Sequence, residues 1–297
     1  MTIVLPSDYH AKGALEAARV VCISKDDAEK QDIRPLRIGI LNVMPRAEEY
    51  EYSILNPLGR SIIQIEPVWI RLEKHEYKSS NREHIANDYV TFEHAIRNRG
   101  LDGLVLTGAP VEELAFEEVY YWEELKRILS YARRNIANTL GICWGGLALA
   151  YLCGVQKCML QNKLFGVFAT KNLERDHRIT GDTDDVFWCP QSRHSGVADS
   201  EMQAAVAAGN LRALAHSDEV GYTIFESPDQ RYLGHLGHPE YEPQRLIFEY
   251  ERDVQAGRTD VLPPANMDIK NPVNVWRSHR NEFFSQWIKF IYDTAKY

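Results

Sequence analysis

The chain has 297 residues, 44% of them hydrophobic and 26% charged, which is enough to bury a large core and excludes a disordered or fibrous protein. Its formal net charge of -8 leaves no basic footprint for a nucleic-acid backbone or an anionic membrane surface, so small-molecule partners are expected. No apolar run reaches the roughly eighteen residues of a membrane helix, and MTIVLPSDYHAKG carries no basic stretch followed by an apolar one, so the expectation is a soluble, unsecreted, cytoplasmic protein.

In chain order, residues 1–33 read as an N-terminal extension and 34–297 as a single catalytic domain. Short apolar runs at LRIGILNV (36–43), LDGLVLTG (101–108) and NTLGICW (138–144) have the form of central strands of a parallel sheet. Between them, FEEVYYWEELKRILSYARRN (116–135) repeats its apolar residues at helical spacing, with its acids clustered early. This alternation predicts an α/β fold with a doubly wound, mostly parallel sheet flanked by helices, whose ligand site lies at the carboxyl ends of the strands. From about residue 160, KLFGVFATK, DDVFWCP, YTIFESP and RYLGHLGH predict strand-rich, hairpin-like additions in the C-terminal half. Residues 253–276 read as a long polar loop, and 283–297 as a closing amphipathic helix.

The five cysteines, Cys22, Cys143, Cys153, Cys158 and Cys189, are odd in number and lack the spacing of a zinc site, so free thiols are expected, without a disulfide framework or structural metal. Cys143 stands apart. Gly141-Ile142-Cys143-Trp144-Gly145-Gly146 ends an apolar strand and opens a helix-like stretch, the pattern of a nucleophile on a sharp turn flanked by small residues. A helix N-terminus there favours a thiolate and aims backbone N–H groups at a developing oxyanion.

A cysteine nucleophile needs a base, and the base needs an orienting partner. Gly234-His235-Leu236-Gly237-His238-Pro239-Glu240-Tyr241 supplies both, with His238 as base and Glu240 as its partner, projecting to one side of an extended segment. Local sequence alone leaves His235 open as a rival base.

These features, with RPLRIGILNVMP (34–45), DGLVLTGAPVE (102–112), FEEVYYW (116–122), TLGICWGG (139–146), KLFGVF (163–168), SRH (192–194), GHPEY (237–241), ERDVQAG (251–257) and WRSH (276–279) in order, closely resemble the homoserine O-acyltransferase family of methionine biosynthesis. That family has a class I glutamine-amidotransferase-like, flavodoxin-like fold. The resemblance implies Cys143 as acyl-thioester nucleophile, His238 as proton acceptor and Glu240 as its partner. It implies Lys163, Ser192 and Arg252 as the amino-acid acceptor site, and Glu112 as the acyl-donor selector, where glutamate goes with acetyl-CoA and glycine with succinyl-CoA. A homodimer is also implied, and Phe283, Phe284, Trp287, Ile288 and Ile291 could serve a dimer interface or the core.

The chain departs from the family where Arg46-Ala47 and Tyr50-Glu51-Tyr52-Ser53 stand for two lysines and a Thr-Glu-x-Gln pattern, where Gln191 replaces histidine, and where His194-Ser195-Gly196 stands in place of Thr-Glu. These positions are expected on loops lining the site. The expected reaction is ping-pong acetyl transfer from acetyl-CoA, used as co-substrate, to the hydroxyl of L-homoserine. The oxyanion would be held by N–H groups near Trp144 and Ala109, with no metal and no bound cofactor. L-serine as acceptor, succinyl-CoA as donor, and glutamine amidotransfer stay open as alternatives.

Overall fold

The computed structural model of the protein describes residues 2–97, 99–259 and 261–295. Among these residues, twelve strands form one sheet. The first six are β1 (Thr2–Val4), β2 (Val21–Ile23), β3 (Leu36–Leu41), β4 (Ile65–Arg71), β5 (Val90–Thr91) and β6 (Gly103–Leu106). The second six are β7 (Asn138–Ile142), β8 (Cys158–Asn172), β9 (Val186–Gly196), β10 (Arg212–Ser217), β11 (Gly221–Glu226) and β12 (Tyr232–His235). Their order across the sheet is β2-β1-β4-β3-β6-β7-β12-β11-β10-β8-β9, with β5 on β4.

From β2 to β12 every neighbouring pair is parallel. Beyond β12 every pair is antiparallel. The predicted α/β fold with C-terminal strand additions is therefore the fold observed, in one continuous sheet. The chain runs outward from β3 to β4, then returns to place β6 on β3's other side. The carboxyl ends of β3 and β6 thus flank a topological switch point, where open parallel sheets bind ligands.

Among the described residues ten α-helices accompany the strands. They are α1 (Lys12–Ala17), α2 (Lys25–Glu29), α3 (Ala47–Leu58), α4 (Arg82–Asp88), α5 (Phe92–Ile96), α6 (Trp122–Asn135), α7 (Trp144–Leu152), α8 (Asp199–Ala207), α9 (Pro243–Gln255) and α10 (Arg277–Thr294). The sheet is covered on both faces, as its strands require. Ile38, Ile40, Val105, Leu140 and Ile142 point into one apolar cluster with Tyr50 and Ile54 of α3 and Trp287 of α10. Leu41, Leu104 and Leu106 point into the other, with Leu125 and Leu129 of α6 and Leu147 of α7. Alternate residues serve opposite faces, which is why these strands read as unbroken apolar runs.

The boundaries refine the sequence reading. Residues 116–135 hold a 3-10 turn at Phe116–Glu118 before α6 begins. Glu123 and Glu124 in the first turn of α6 and Arg133 and Arg134 in its last complement the helix dipole. The loop expected from 253 starts only after Gln255, and the closing helix starts at Arg277. Phe283, Phe284, Trp287, Ile288 and Ile291 are all buried in this chain's own core, so they offer no dimer surface. Residues 2–33 contribute β1 and β2 to the sheet, and Ile3 and Leu15 are fully buried. Among the described residues no helix is long and apolar enough to cross a membrane.

Candidate active site

Cys143 joins the end of β7 to the start of α7 with φ 52° and ψ -113°, a strained conformation for a residue with a side chain. The surrounding glycines are there because nothing larger fits. A Cβ on Gly141 would lie 2.5 Å from the carbonyl oxygen of Gly145, and one on Gly145 would lie 2.4 Å from that of Leu106. The elbow is pinned by the Cys143 N–H, which donates to the His235 carbonyl at 2.8 Å. Its thiol faces a cleft of about 460 Å³ at the carboxyl ends of β3, β6, β7 and β12. Cys143 is the N-cap of α7, so the thiol sits beside the first N–H groups of that helix, which have no intrahelical partner.

His238 lines the same cleft, and its Nδ1 lies 2.8 Å from Glu240 Oε1. Glu240 is completely buried behind it. The Tyr241 N–H donates to the His238 carbonyl at 3.1 Å, so His238-Pro239-Glu240 is a tight turn, not the extended segment expected. The fixed φ of Pro239 suits that turn. The Tyr241 ring stacks on His238 with centroids 4.1 Å apart and fixes the imidazole plane. Burial alone would pull His238 down, but the facing Cys143 and Glu240 outweigh it and hold the imidazole well above its ordinary value of 6.5. His235 is elsewhere. It is buried near Cys189 and against Phe283, burial pushes it down to about 3, and it does not line the cleft.

Of the other sequence-derived candidates, Ala109, Glu112, Lys163, Ser192 and Arg252 all line this cleft. Trp144 does not, because its indole packs among Phe116, Tyr121 and Trp122, which leaves only its backbone N–H near the thiol. Burial raises the Glu112 carboxyl, against the pull of the backbone N–H groups of His194 and Ser195. Lys163 donates to Asp253 Oδ2 at 2.8 Å, and Ser192 Oγ donates to Glu249 Oε2 at 2.5 Å. Arg252, 45% exposed, holds Asp253 Oδ1 through Nε at 2.8 Å and a terminal nitrogen at 2.6 Å.

Glu249 and Asp253 were not legible as site residues. Both lie on α9, one turn apart, whereas in sequence Glu249 carries no local signal and Asp253 reads as the start of a polar loop. Glu249 is buried, accepts from Ser192 and Tyr241, and lies 3.9 Å from Lys163 and 3.5 Å from Arg245. Burial pushes its carboxyl up, but those cations and hydrogen bonds outweigh it and hold it low. Arg193, inside the Ser-Arg-His motif, is a wholly buried bracket: it donates to Gln191 Oε1, the Ser195 carbonyl and the Val220 carbonyl.

Of the departures from the family pattern, His194 lines the cleft as expected, whereas Ala47, Tyr50, Tyr52 and Gln191 do not. Ala47 and Tyr50 are buried on α3, and Tyr52 is partly buried there. Gln191 is buried on β9 behind Arg193. Among these, Tyr50 reaches His238 through Glu240, to which its hydroxyl donates at 3.0 Å.

A thiol, an imidazole and a carboxylate are thus in line at a switch-point cleft whose far wall carries Lys163, Arg245, Arg252 and Arg258. The profile of the family described as homoserine O-succinyltransferase matches residues 2–297. The chain belongs to that family. Its members are homoserine acyltransferases, so this chain is an acyltransferase of small-molecule substrates, with acyl-CoA as the co-substrate class.

The relatives of the family include the homoserine O-acetyltransferase of Bacillus thuringiensis subsp. konkukian, 39% identical over 303 aligned residues covering 100% of this chain and 99% of that protein. The homoserine O-acetyltransferase of Bacillus subtilis is 37% identical over 302 residues with the same coverage. Among solved structures, a glutamine amidotransferase of Thermotoga maritima superposes with a TM-score of 0.55 over 87% of this chain and 99% of its own, at 13% identity. The glutaminase domain of Trypanosoma brucei CTPS gives 0.52 over 88% and 96%, at 12% identity. These two share the fold with the homoserine acyltransferase family, and at such identity the likeness extends no further.

Proposed function

We propose that the protein transfers an acetyl group from acetyl-CoA to the hydroxyl of L-homoserine by a ping-pong mechanism through Cys143. The observation that carries this reading is the alignment of Cys143, His238 and Glu240 at one cleft, in a chain whose relatives include enzymes named homoserine O-acetyltransferase. The Cys143 sulfur attacks the thioester carbon, and N–H groups at Trp144 and Ala109 receive the oxyanion. The carbon–sulfur bond to CoA breaks, and His238 passes its proton to the departing thiolate. Acylation removes the sulfur charge that had held that proton, so His238 is left neutral.

Homoserine then enters with its carboxylate toward Arg252 and its amino acid end near Lys163 and Ser192. Neutral His238 takes the hydroxyl proton as the oxygen attacks the acyl carbon, and Cys143 leaves as thiolate. Glu240 keeps the imidazole oriented through both halves. Glu112 fills the donor end and repels the distal carboxylate of a succinyl group, which favours acetyl-CoA. A homodimer completes the reading, on the strength of the resemblance alone, and solution mass tests it.

The test is CoA release from acetyl-CoA and succinyl-CoA, each with L-homoserine, L-serine or L-glutamine, with Cys143→Ala as blank. Turnover of acetyl-CoA with homoserine is the expected result. Turnover with serine alone would move the acceptor, and ammonia released from glutamine without acyl transfer would overturn the reading.

A further inference from the structure

Away from the cleft, three side chains of metal-ligand type converge from three separate segments. Glu51, on α3, is fully buried, and both its oxygens face imidazole nitrogens. His10 Nε2 lies 2.8 Å from Oε2, and His84 Nε2 lies 2.6 Å from Oε1. His10 precedes α1 and His84 belongs to α4, yet the ligand atoms of all three lie within 4.8 Å of one another.

His84 is the informative member. Its Nδ1 is 2.9 Å from Asp88 Oδ2, so carboxylate oxygens stand at both of its nitrogens. A neutral imidazole carries one N–H. With that proton on Nδ1 toward Asp88, Nε2 turns a lone pair to a carboxylate oxygen 2.6 Å away, which is repulsive unless a cation lies between them. His10 is aimed at the same carboxylate from the other side, with the two rings edge to face at 5.0 Å. One divalent ion set between them would take a lone pair from each of the three side chains, whose ligand atoms already converge.

The surroundings match that occupant. A carboxylate on the far nitrogen is how metal-binding histidines are fixed in tautomer and orientation, and Asp88 does this for His84. Glu51 is braced as well: the Tyr89 hydroxyl donates to Oε1 at 2.8 Å and the Tyr9 hydroxyl to Oε2. We propose that His10, Glu51 and His84 bind one divalent transition-metal ion of the zinc class, with water completing the coordination. Two imidazoles and a carboxylate are a donor set suited to such an ion.

Metal–ligand bonds of about 2.0–2.2 Å need each nitrogen–oxygen gap to open to roughly 3.3 Å. The side chain of His10, 41% exposed, and the seven-residue α4 can supply that shift. The ion ties the N-terminal segment to α3 and α4. No short spacing in the sequence betrays it, because the three ligands are far apart along the chain.

The test is calorimetric titration of zinc into chelator-stripped full-length protein, with melting temperature followed in parallel and Cys143→Ala included to remove the thiol site. One zinc per chain is expected in the wild type and in Cys143→Ala, with a zinc-dependent rise in melting temperature. Binding should weaken at least tenfold in Asp88→Asn and be lost in His10→Ala and His84→Ala, each checked for fold by circular dichroism without metal. Should His84→Ala not fold, His10→Ala, at the half-exposed ligand, decides. Absence of a zinc-dependent rise in the wild type, or unchanged binding in His10→Ala, overturns the proposal.

Discussion

Tyr50 and His238 meet at a single atom, Oε1 of Glu240, which accepts the Tyr50 hydroxyl at 3.0 Å and lies 2.8 Å from His238 Nδ1. The other carboxylate oxygen is buried without a hydrogen-bond partner, so Tyr50 is the clamp that stops Glu240 rotating. A hydrogen bond to a charged group contributes about 1.5–3 kcal/mol. Tyr50→Phe keeps the ring and removes the clamp. Its kcat should fall roughly tenfold or more if about 1.4 kcal/mol or more of that is felt in the transition state, with the KM for acetyl-CoA nearly unchanged. Wild-type kcat in Tyr50→Phe would show that Glu240 needs no second partner.

That clamp also marks where sequence reading stopped. The central strands were legible because a strand buried on both faces is apolar throughout, and the Cys143 elbow was legible because its glycines answer a steric demand within five residues. The His238-Pro239-Glu240 pair was legible for the same local reason, although its turn was read as extended. Tyr50 and Glu240 are 190 positions apart, and Ser192 and Glu249 are 57 apart, so only the fold brings them together. β10 carries Arg212 and His216 among its alanines and lacks the apolar run that betrayed the inner strands.

His238 gives a pH-dependent prediction. Its folded value is raised, so the stability contributed by the charged imidazole is fully present below its ordinary value of 6.5 and is lost as pH rises through the higher folded value. Cys143 is one of the causes that raise it, so Cys143→Ala should move the His238 midpoint downward in an NMR titration. The acetylated wild-type enzyme should show a similar fall, because thioester formation also removes the sulfur charge. A midpoint unmoved in both would mean that the thiol does not set the proton on His238, and the proposed hand-over between half-reactions would fail.

The proposed donor choice assigns Glu112, whose carboxyl burial raises, the part of excluding a succinyl group. Glu112→Gly opens the space and removes the charge, and should improve succinyl-CoA turnover relative to acetyl-CoA at least tenfold, equivalent to about 1.4 kcal/mol of discrimination. Glu112→Gln separates the two effects, since it keeps the bulk and loses the charge. If charge repulsion dominates, Gln should recover most of the gain. A donor ratio unchanged in both variants would remove Glu112 from the selection.

Glu249 lines the cleft, where it accepts from Ser192 and Tyr241 and lies 3.9 Å from Lys163 and 3.5 Å from Arg245. Removing one partner from a buried ionic cluster strands the others and costs about 3–5 kcal/mol, so Glu249→Ala should lose that much in denaturant unfolding. Glu249→Gln keeps the shape and can still hydrogen-bond Ser192 and Tyr241, and should lose less. It still removes a negative charge 3.9 Å from Lys163 and 3.5 Å from Arg245, so if these cations hold the acceptor the homoserine KM should rise about tenfold, the equivalent of about 1.4 kcal/mol. The initial burst of CoA from acetyl-CoA should persist, because acylation of Cys143 precedes acceptor binding. A burst lost together with turnover would place Glu249 in the acylation step, and an unchanged homoserine KM would separate α9 from acceptor recognition.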